Sequence, residues 1–274
     1  MNNTALRSLR ELERVERRVL GALRCVDATT GALMDIPLRL DAPADARIQR
    51  NLSGLFVVHE WAPLAAHGAA FASAPATPLP GTHRLTLRLS DPLGGYLPRT
   101  VGMALPRDAD PAHAAQDNSI FRPQEVAMYP ASNARLGANW AALSVSLFAT
   151  GSSDALGGVL LRVLSGGEVI ARGLSDWRGE ALVPVAGIPV TTWSTEPGSV
   201  VVTQIEARLE AYFDPASGLR SPLAAVQAGR APSSLPLVDP EAIESARAGL
   251  PQASVAISLA AGRPLHISLG IDIP

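Results

Sequence analysis

The chain has 274 residues, of which 47% are hydrophobic, 18% charged and 4% aromatic, and its formal charge is −2. This length suffices for about two domains, and the apolar fraction allows sizeable cores, so disorder is not expected. The slightly acidic balance argues against a nucleic-acid-binding protein, which would usually carry a clear basic excess. Gly and Pro number 23 each, which favours many short strands and turns over long helices.

Residues 4–18 form the one strong helical pattern. Four apolar side chains fall at spacings of three and four and so share one face, while Arg and Glu residues interleave on the other. The four are Leu9, Leu12, Val15 and Val19. A short helix with a narrow apolar stripe is marginal alone, so it must pack on its own domain or on a neighbouring subunit. We therefore treat residues 1–18 as a docking helix and the four side chains as partner-docking candidates.

Residues 19–106 are predicted to form a first β-domain. In 83–89, Leu85, Leu87 and Leu89 alternate cleanly with polar residues and should point inward. Residues 41–50 read as a polar loop, and 62–80, rich in Ala and Pro, as a long surface loop. The predicted strands are 19–26, 33–40, 51–61, 83–89 and 96–105.

Residues 107–123 are polar, contain two X-Pro steps and read as an inter-domain linker. A second β-domain is predicted over 124–213. Gln204–Tyr212 is rich in helix formers, but the β-branched residues before it favour a strand. The predicted strands are 124–129, 140–148, three within 157–185, and 200–213.

Residues 157–185 read as three short strands joined by two tight turns. Gly166 and Gly167 form the first turn, because Gly accepts the positive φ that a hairpin turn needs. Asp176 to Gly179 form the second, in which Asp can cap its own turn.

Residues 214–274 are predicted to be a Pro/Ala-rich extension that ends in a β-hairpin over 254–273. A short helix is expected at 240–248, because Pro240 suits a first helical turn. The hairpin either completes a sheet of the second domain or adds to a partner's sheet. Ile257, Leu259 and Ile267 are therefore further docking candidates.

No sequence motif strongly indicates catalysis, metal binding or cofactor binding, so no enzyme activity, metal site or cofactor is expected. Asp27, Asp91 and Asp176 each precede turn residues, where turn capping is far commoner than acid–base work. Five histidines are scattered without metal-ligand spacing. The single cysteine, Cys25, lies in an apolar strand pattern, which favours a buried structural thiol.

The four tryptophans allow a functional and a structural interpretation. Exposed, coplanar Trp177 and Trp193 would form a sugar-stacking face, whereas core or inter-module packing is the commoner role of Trp. Carbohydrate is thus a possible but unsupported partner.

The chain shows no sign of targeting to a membrane. No segment approaches about 20 uninterrupted apolar residues, so no membrane insertion is expected. The N-terminus lacks the apolar region of a signal peptide, which predicts synthesis in the cytoplasm.

The stretch 157–185, with its Ser175-Asp176-Trp177-Arg178-Gly179 turn, resembles the carboxypeptidase-regulatory-like, or transthyretin-like, β-sandwich family. Residues 19–40 and 54–57 resemble the opening and a later strand of such a module, from which the insertion 62–80 departs. The resemblance implies a mainly β chain with two tandem immunoglobulin/transthyretin-like β-sandwich modules, an N-terminal amphipathic helix and a C-terminal hairpin. Such modules serve accessory, structural or adhesive roles.

The order of an N-terminal helix and two sandwich-like modules, with residues 90–108 (SDPLGGYLPRTVGMALPRD) between the modules, also resembles baseplate-associated components of contractile phage tails and phage-tail-like injection systems. This resemblance implies a non-enzymatic structural subunit of a large particle, with other subunits as partners and Trp177 as a loop-tip contact. It also implies that the chain, made without a signal peptide, ends in an assembled virion-like or injection device. The alternative is a β-sandwich module that binds carbohydrate or a cell surface.

Overall fold

The computed structural model describes residues 18–70, 73–137, 140–188, 192–193, 200–201 and 204–273. The chain is mainly β, as predicted, with short helices between strands. Leu9, Leu12 and Val15, and the predicted docking helix up to residue 17, lie outside the described residues. Val19 lies just before the first strand, with 36% of its surface exposed.

Two facing sheets make up the first module. The first sheet has the order β3-β4-β1-β7, and the second has the order β2-β5-β6. The strands of the first sheet are β1 (Gly21–Asp27), β3 (Ala46–Arg50), β4 (Phe56–Trp61) and β7 (Gln124–Met128). Those of the second are β2 (Arg39–Asp41), β5 (His83–Ser90) and β6 (Arg99–Leu105).

The core of the first module follows the predicted alternation of β5. Leu85, Leu87 and Leu89 are fully buried, as expected, because alternate side chains of a strand point to one face of the sheet. They share one cluster with side chains of the facing sheet, among them Leu23 and Val126.

Three local predictions for the first module are wrong. The strand expected at 33–40 is reduced to a bridge from Val26 to Leu33 and to short β2. The expected loop 41–50 contains β3, whose Ala46 and Ile48 pack on the core between polar residues. The surface loop 62–80 opens with a 3-10 helix, Ala62–Leu64, and with α1, Ala65–Ala69, which anchor the buried Leu64.

The boundary between the modules also differs from the prediction. β7 pairs in parallel with β1, and its Val126 and Met128 are fully buried in the first core. Residues 124–128 therefore belong to the first module, not the second. The expected linker 107–123 is a folded loop, because the buried Arg107 guanidinium donates to the carbonyl oxygens of Ser119 and Arg122. The chain crosses to the second module after β7.

The second module also has two sheets. One has the order β11-β10-β15-β17. In the other, central β8 pairs antiparallel with β12 and parallel with β18, and β9 pairs with β16. The first sheet contains β10 (Leu160–Ser165), β11 (Glu168–Leu174), β15 (Gln204–Tyr212) and β17 (Gln252–Ala260). The second contains β8 (Ala141–Ala149), β9 (Ala155–Gly157), β12 (Glu180–Val185), β16 (Leu219–Ser221) and β18 (Pro264–Ile271). A short ribbon joins β13 (Thr192–Trp193) to β14 (Val200–Val201).

The three strands predicted within 157–185 are confirmed as β10, β11 and β12. β10 and β11 form a hairpin, whereas the turn at 175–179 carries the chain to the other sheet, where β12 pairs with β8. Gln204–Tyr212 is a strand, as favoured, and its inward side chains join the core between the sheets.

The predicted C-terminal hairpin is wrong. β17 pairs with β15 and β18 pairs with β8, so the turn after β17 is an arch between the two sheets. Ile257 and Leu259 are buried in the chain's own core, and Ile267 packs against that core. These three docking candidates are therefore corrected to core positions, since their side chains are already covered within the chain.

The predicted extension contains helices α2 (Leu223–Gln227) and α3 (Pro240–Ala246), the latter close to the helix expected at 240–248. A 3-10 turn, Arg247–Gly249, follows α3. Residues 236–250, hereafter the strap, contact both modules. Among the described residues, no helix is long and apolar enough to cross a membrane.

Candidate functional site

A cleft of about 320 Å³ lies where the two modules and the strap meet. The first module contributes residues of the 90–98 turn, and the second contributes Leu174 to Arg178. Segment 131–133 and the pair Leu235–Pro236 complete the walls. We call this space the inter-module cleft. Clefts at domain junctions are favoured places for ligands and partners.

Trp177, the predicted loop-tip contact, is half-buried in the wall of this cleft. The Arg178 guanidinium carbon lies 5.9 Å from the centre of the indole ring, within the range of a cation–π contact. The indole is thus held by its neighbour while part of its surface faces the cleft.

Asp176 organises the turn that presents Trp177. Its Oδ1 accepts from the backbone N–H of Arg178 at 2.8 Å, and its Oδ2 accepts from Arg178 Nη2 at 2.7 Å and from Ser132 Oγ at 3.1 Å. The bond to Asp176 raises the pKa of Arg178. Both carboxylate oxygens are therefore engaged within the chain, which confirms the predicted turn-capping role of Asp176.

Asp91 lines the first-module wall of the cleft, and Asp27 is bonded to the lining residue Tyr96. Asp91 accepts from the backbone N–H groups of Leu93 and Gly95 at 2.9 and 2.8 Å. Asp27 caps its own turn through Oδ1, and its Oδ2 accepts from the Tyr96 hydroxyl at 2.7 Å. Burial, reinforced by this bond, raises the pKa of Tyr96 to about 12. Both Asp residues thus have the structural role that the sequence predicted.

Exposed leucines lie beside the cleft. Leu93, in the turn at 91–95, has 79% of its surface exposed, and Leu235 of the cleft wall has 47%. Leu235 and Trp177 both line the cleft, and Leu93 lies in sequence between the lining residues Asp91 and Gly94. Contiguous exposed apolar surface marks sites of interaction, so these side chains make the cleft a candidate docking surface.

A second cleft, of about 480 Å³, lies on the other side of segment 130–137 and shares Tyr96 with the first. Trp140 and the partly exposed Leu136 line it. Trp140 packs so closely on Gly137 that a Cβ there would lie 2.7 Å from the indole. The crossing segment therefore has a tryptophan-lined cleft on either side.

Metal-ligating side chains do not cluster in the part of the chain that the structure describes. No group of three or more His, Cys, Asp or Glu side chains there could hold a metal ion. His113 Nδ1 lies 2.7 Å from Asp108 Oδ2 in an exposed loop. Their hydrogen bond raises the pKa of His113, while a backbone bond from Asp110 and the bond to His113 lower that of Asp108. The pair lines neither cleft.

Cys25 is buried in the first core, as predicted. Burial raises the pKa of its thiol to about 11, so the thiol stays protonated at neutral pH.

Of the docking candidates whose side chains the structure describes, Trp177 alone lines one of the two clefts. The side chain of Trp193, and so the predicted coplanar tryptophan pair, lies outside the described residues. Leu93 is not among the residues predicted from the sequence, although an apolar residue within a turn is itself a signal of exposure. Leu235 lies in an irregular segment, where the sequence pattern does not indicate whether an apolar side chain is exposed. Comparison with known protein families, curated proteins and solved structures finds no match for this chain.

Proposed function

We propose that this chain is a non-enzymatic structural subunit of a large protein particle and that the inter-module cleft docks a neighbouring subunit. The observation that carries the proposal is the apolar surface that Trp177 and Leu235 contribute to the cleft, with the exposed Leu93 in the adjoining turn and the acidic lining side chains engaged internally. Such a surface offers burial of apolar area, the main driving force of protein association.

The kind of particle is proposed from the resemblance of the sequence to baseplate-associated components of contractile phage tails and injection devices. Two successive two-sheet modules support this assignment, as does the strap that holds them together. The finer assignment of the modules as immunoglobulin-like or transthyretin-like belongs to the same proposal. A subunit of such a device needs a fixed shape and contact surfaces, which both features supply.

The test is sedimentation of the tagged chain from the cells that produce it. If the proposal holds, the chain sediments with particles far larger than its own 28.6 kDa, and electron microscopy of that fraction shows tail-like objects. If all of the chain stays in fractions of its own mass, the assembly role is refuted.

Carbohydrate binding is the second candidate, and the half-exposed indole of Trp177 beside the polar Ser132 and Asn133 favours it. Stacking of sugars on tryptophan would be lost in Trp177→Ala but kept in Trp61→Ala, whose indole belongs to the first core. Glycan-array binding that is abolished by the first variant alone would support this function. Absence of binding by the unmodified chain would remove it.

A further inference from the structure

The strap lies within a long connection, residues 213–251, that leaves the sheet at the end of β15 and returns to it at the start of the adjacent strand β17. β15 ends at Tyr212 and β17 begins at Gln252, and these two residues pair across adjacent strands. The backbone N–H of Phe213 donates to Pro251 O at 3.0 Å, which closes the base of this connection. The strap can therefore move outward without breaking any strand pair of β15 with β17.

The inner side of the strap covers an apolar surface between the modules. Val238 and Ile243 are 0% and 2% exposed. They share a cluster with Leu160, Leu174 and Tyr212 of the second module and Tyr129 of the connecting segment. Leu160 and Leu174 point away from the core between the sheets, so the strap is what keeps these side chains from water.

Ion pairs and backbone bonds fasten the N-terminal end of α3 to the first module. Arg84 Nη2 lies 2.6 Å from Asp239 Oδ2. Arg99 has no exposed side-chain surface and pairs with Glu241. The backbone N–H of Thr100 donates to Val238 O at 2.8 Å. Two ion pairs and a backbone hydrogen bond therefore hold this end of the strap to the first module.

The second module holds the strap through Glu244. Arg162 Nε lies 3.4 Å from Glu244 Oε1, and Arg172 Nε lies 3.8 Å from Glu244 Oε2. These are ion-pair distances, but the buried Arg162 Nε and Glu244 Oε2 have no hydrogen-bond partner. Buried polar atoms without partners disfavour the closed arrangement relative to one in which water reaches them.

We propose that the strap is a hinged cover that opens as a unit while both modules stay folded. Its closed base permits the motion, and its ion pairs with Arg84, Arg99, Arg162 and Arg172 hold it shut. The atoms Arg162 Nε and Glu244 Oε2, which lack hydrogen-bond partners, weaken the hold. Opening would uncover the apolar surface around Leu160 and Leu174. It would also move Pro236, a wall residue of the inter-module cleft. This inference does not depend on the proposed assembly role.

Native-state hydrogen exchange on the purified full-length chain tests the cover. The α3 amides should exchange by local opening at least about tenfold faster than the amides of β10 and β15, which need global unfolding. Glu244→Gln and Ile243→Ala should each accelerate exchange in the strap while that of β15 stays unchanged. Glu60→Gln, which removes the exposed pair with Arg47, is the matched control and should change neither.

Two results would overturn the cover. In the first, the strap amides of the unmodified chain exchange at the same rate as those of β15. In the second, Glu244→Gln accelerates exchange equally in the strap and in both modules. The first result needs no variant, so a folding defect in a variant cannot mask it.

Discussion

Arg99 shows how one buried side chain ties several parts of the chain together. Its guanidinium donates to Ala127 O at 2.7 Å, lies 5.9 Å from the centre of the Tyr129 ring and pairs with Glu241 of the strap. No part of the side chain is exposed. A buried cation is tolerated only when it is paired and hydrogen-bonded, and these contacts meet that condition.

Arg99→Leu should therefore lower the free energy of unfolding by about 2–4 kcal/mol, because Ala127 O loses its donor and Glu241 its cation. Urea unfolding measures the loss. Arg47→Ala is the control, since its pair with Glu60 is exposed and should contribute less than about 1 kcal/mol. Equal losses in the two variants would contradict this account of Arg99.

The raised pKa of Cys25 predicts how the free energy of unfolding changes with pH in alkaline solution. Burial raises its pKa from the ordinary 9.0 to about 11. Between these values the unfolded chain loses the thiol proton and the folded chain keeps it, so stability falls as pH rises. The free energy of unfolding should drop by about 1 kcal/mol between pH 9 and pH 10 through this group. The drop should shrink in Cys25→Ala; an identical pH profile in the variant would contradict the shift.

At the scale of the elements, the turn at 175–179 depends on Gly179. Its φ is +76°, and a Cβ there would lie 2.3 Å from Leu147 O, which is backbone and cannot move aside. The glycine thus permits both a left-handed conformation and a close approach of two strands.

Gly179→Ala should cost about 3 kcal/mol or more, because the φ strain and the clash act together. Gly31→Ala is the matched control. Its φ is +69° but nothing lies within 4 Å, so only the strain of about 1 kcal/mol is expected. Thermal unfolding of both variants gives the comparison, and equal costs would show that the close approach is unimportant.

The elements also show what the sequence could predict. Period-two alternation correctly located β5, because burial of one face fixes which side chains are apolar. Alternation does not identify the neighbouring strand. The arch between β17 and β18 was therefore mistaken for a hairpin, and β7 was assigned to the wrong module. The turn roles of Asp27, Asp91 and Asp176 were predictable because capping is local. The cleft was not, because its walls come from distant segments.

At the scale of the whole molecule, the strap joins the two modules, and an apolar cleft lies at their junction. Tyr96 and Leu97 of the first module and Leu174 and Trp177 of the second line this cleft, so a partner that fills it would contact both modules. This arrangement links the fold to the proposed assembly role, and it makes the cleft the feature to disrupt.

The most direct measurement is incorporation of a double variant, Trp177→Glu with Leu235→Glu, into particles of the producing cells. Charge in the cleft should block docking, so the variant should stay in fractions of its own 28.6 kDa. Phe121→Glu, which alters an apolar residue with 55% of its surface exposed in the 107–122 loop, is the control and should sediment with the particles like the unmodified chain. Equal incorporation of the folded double variant and the control would contradict the central claim that the inter-module cleft is a docking surface.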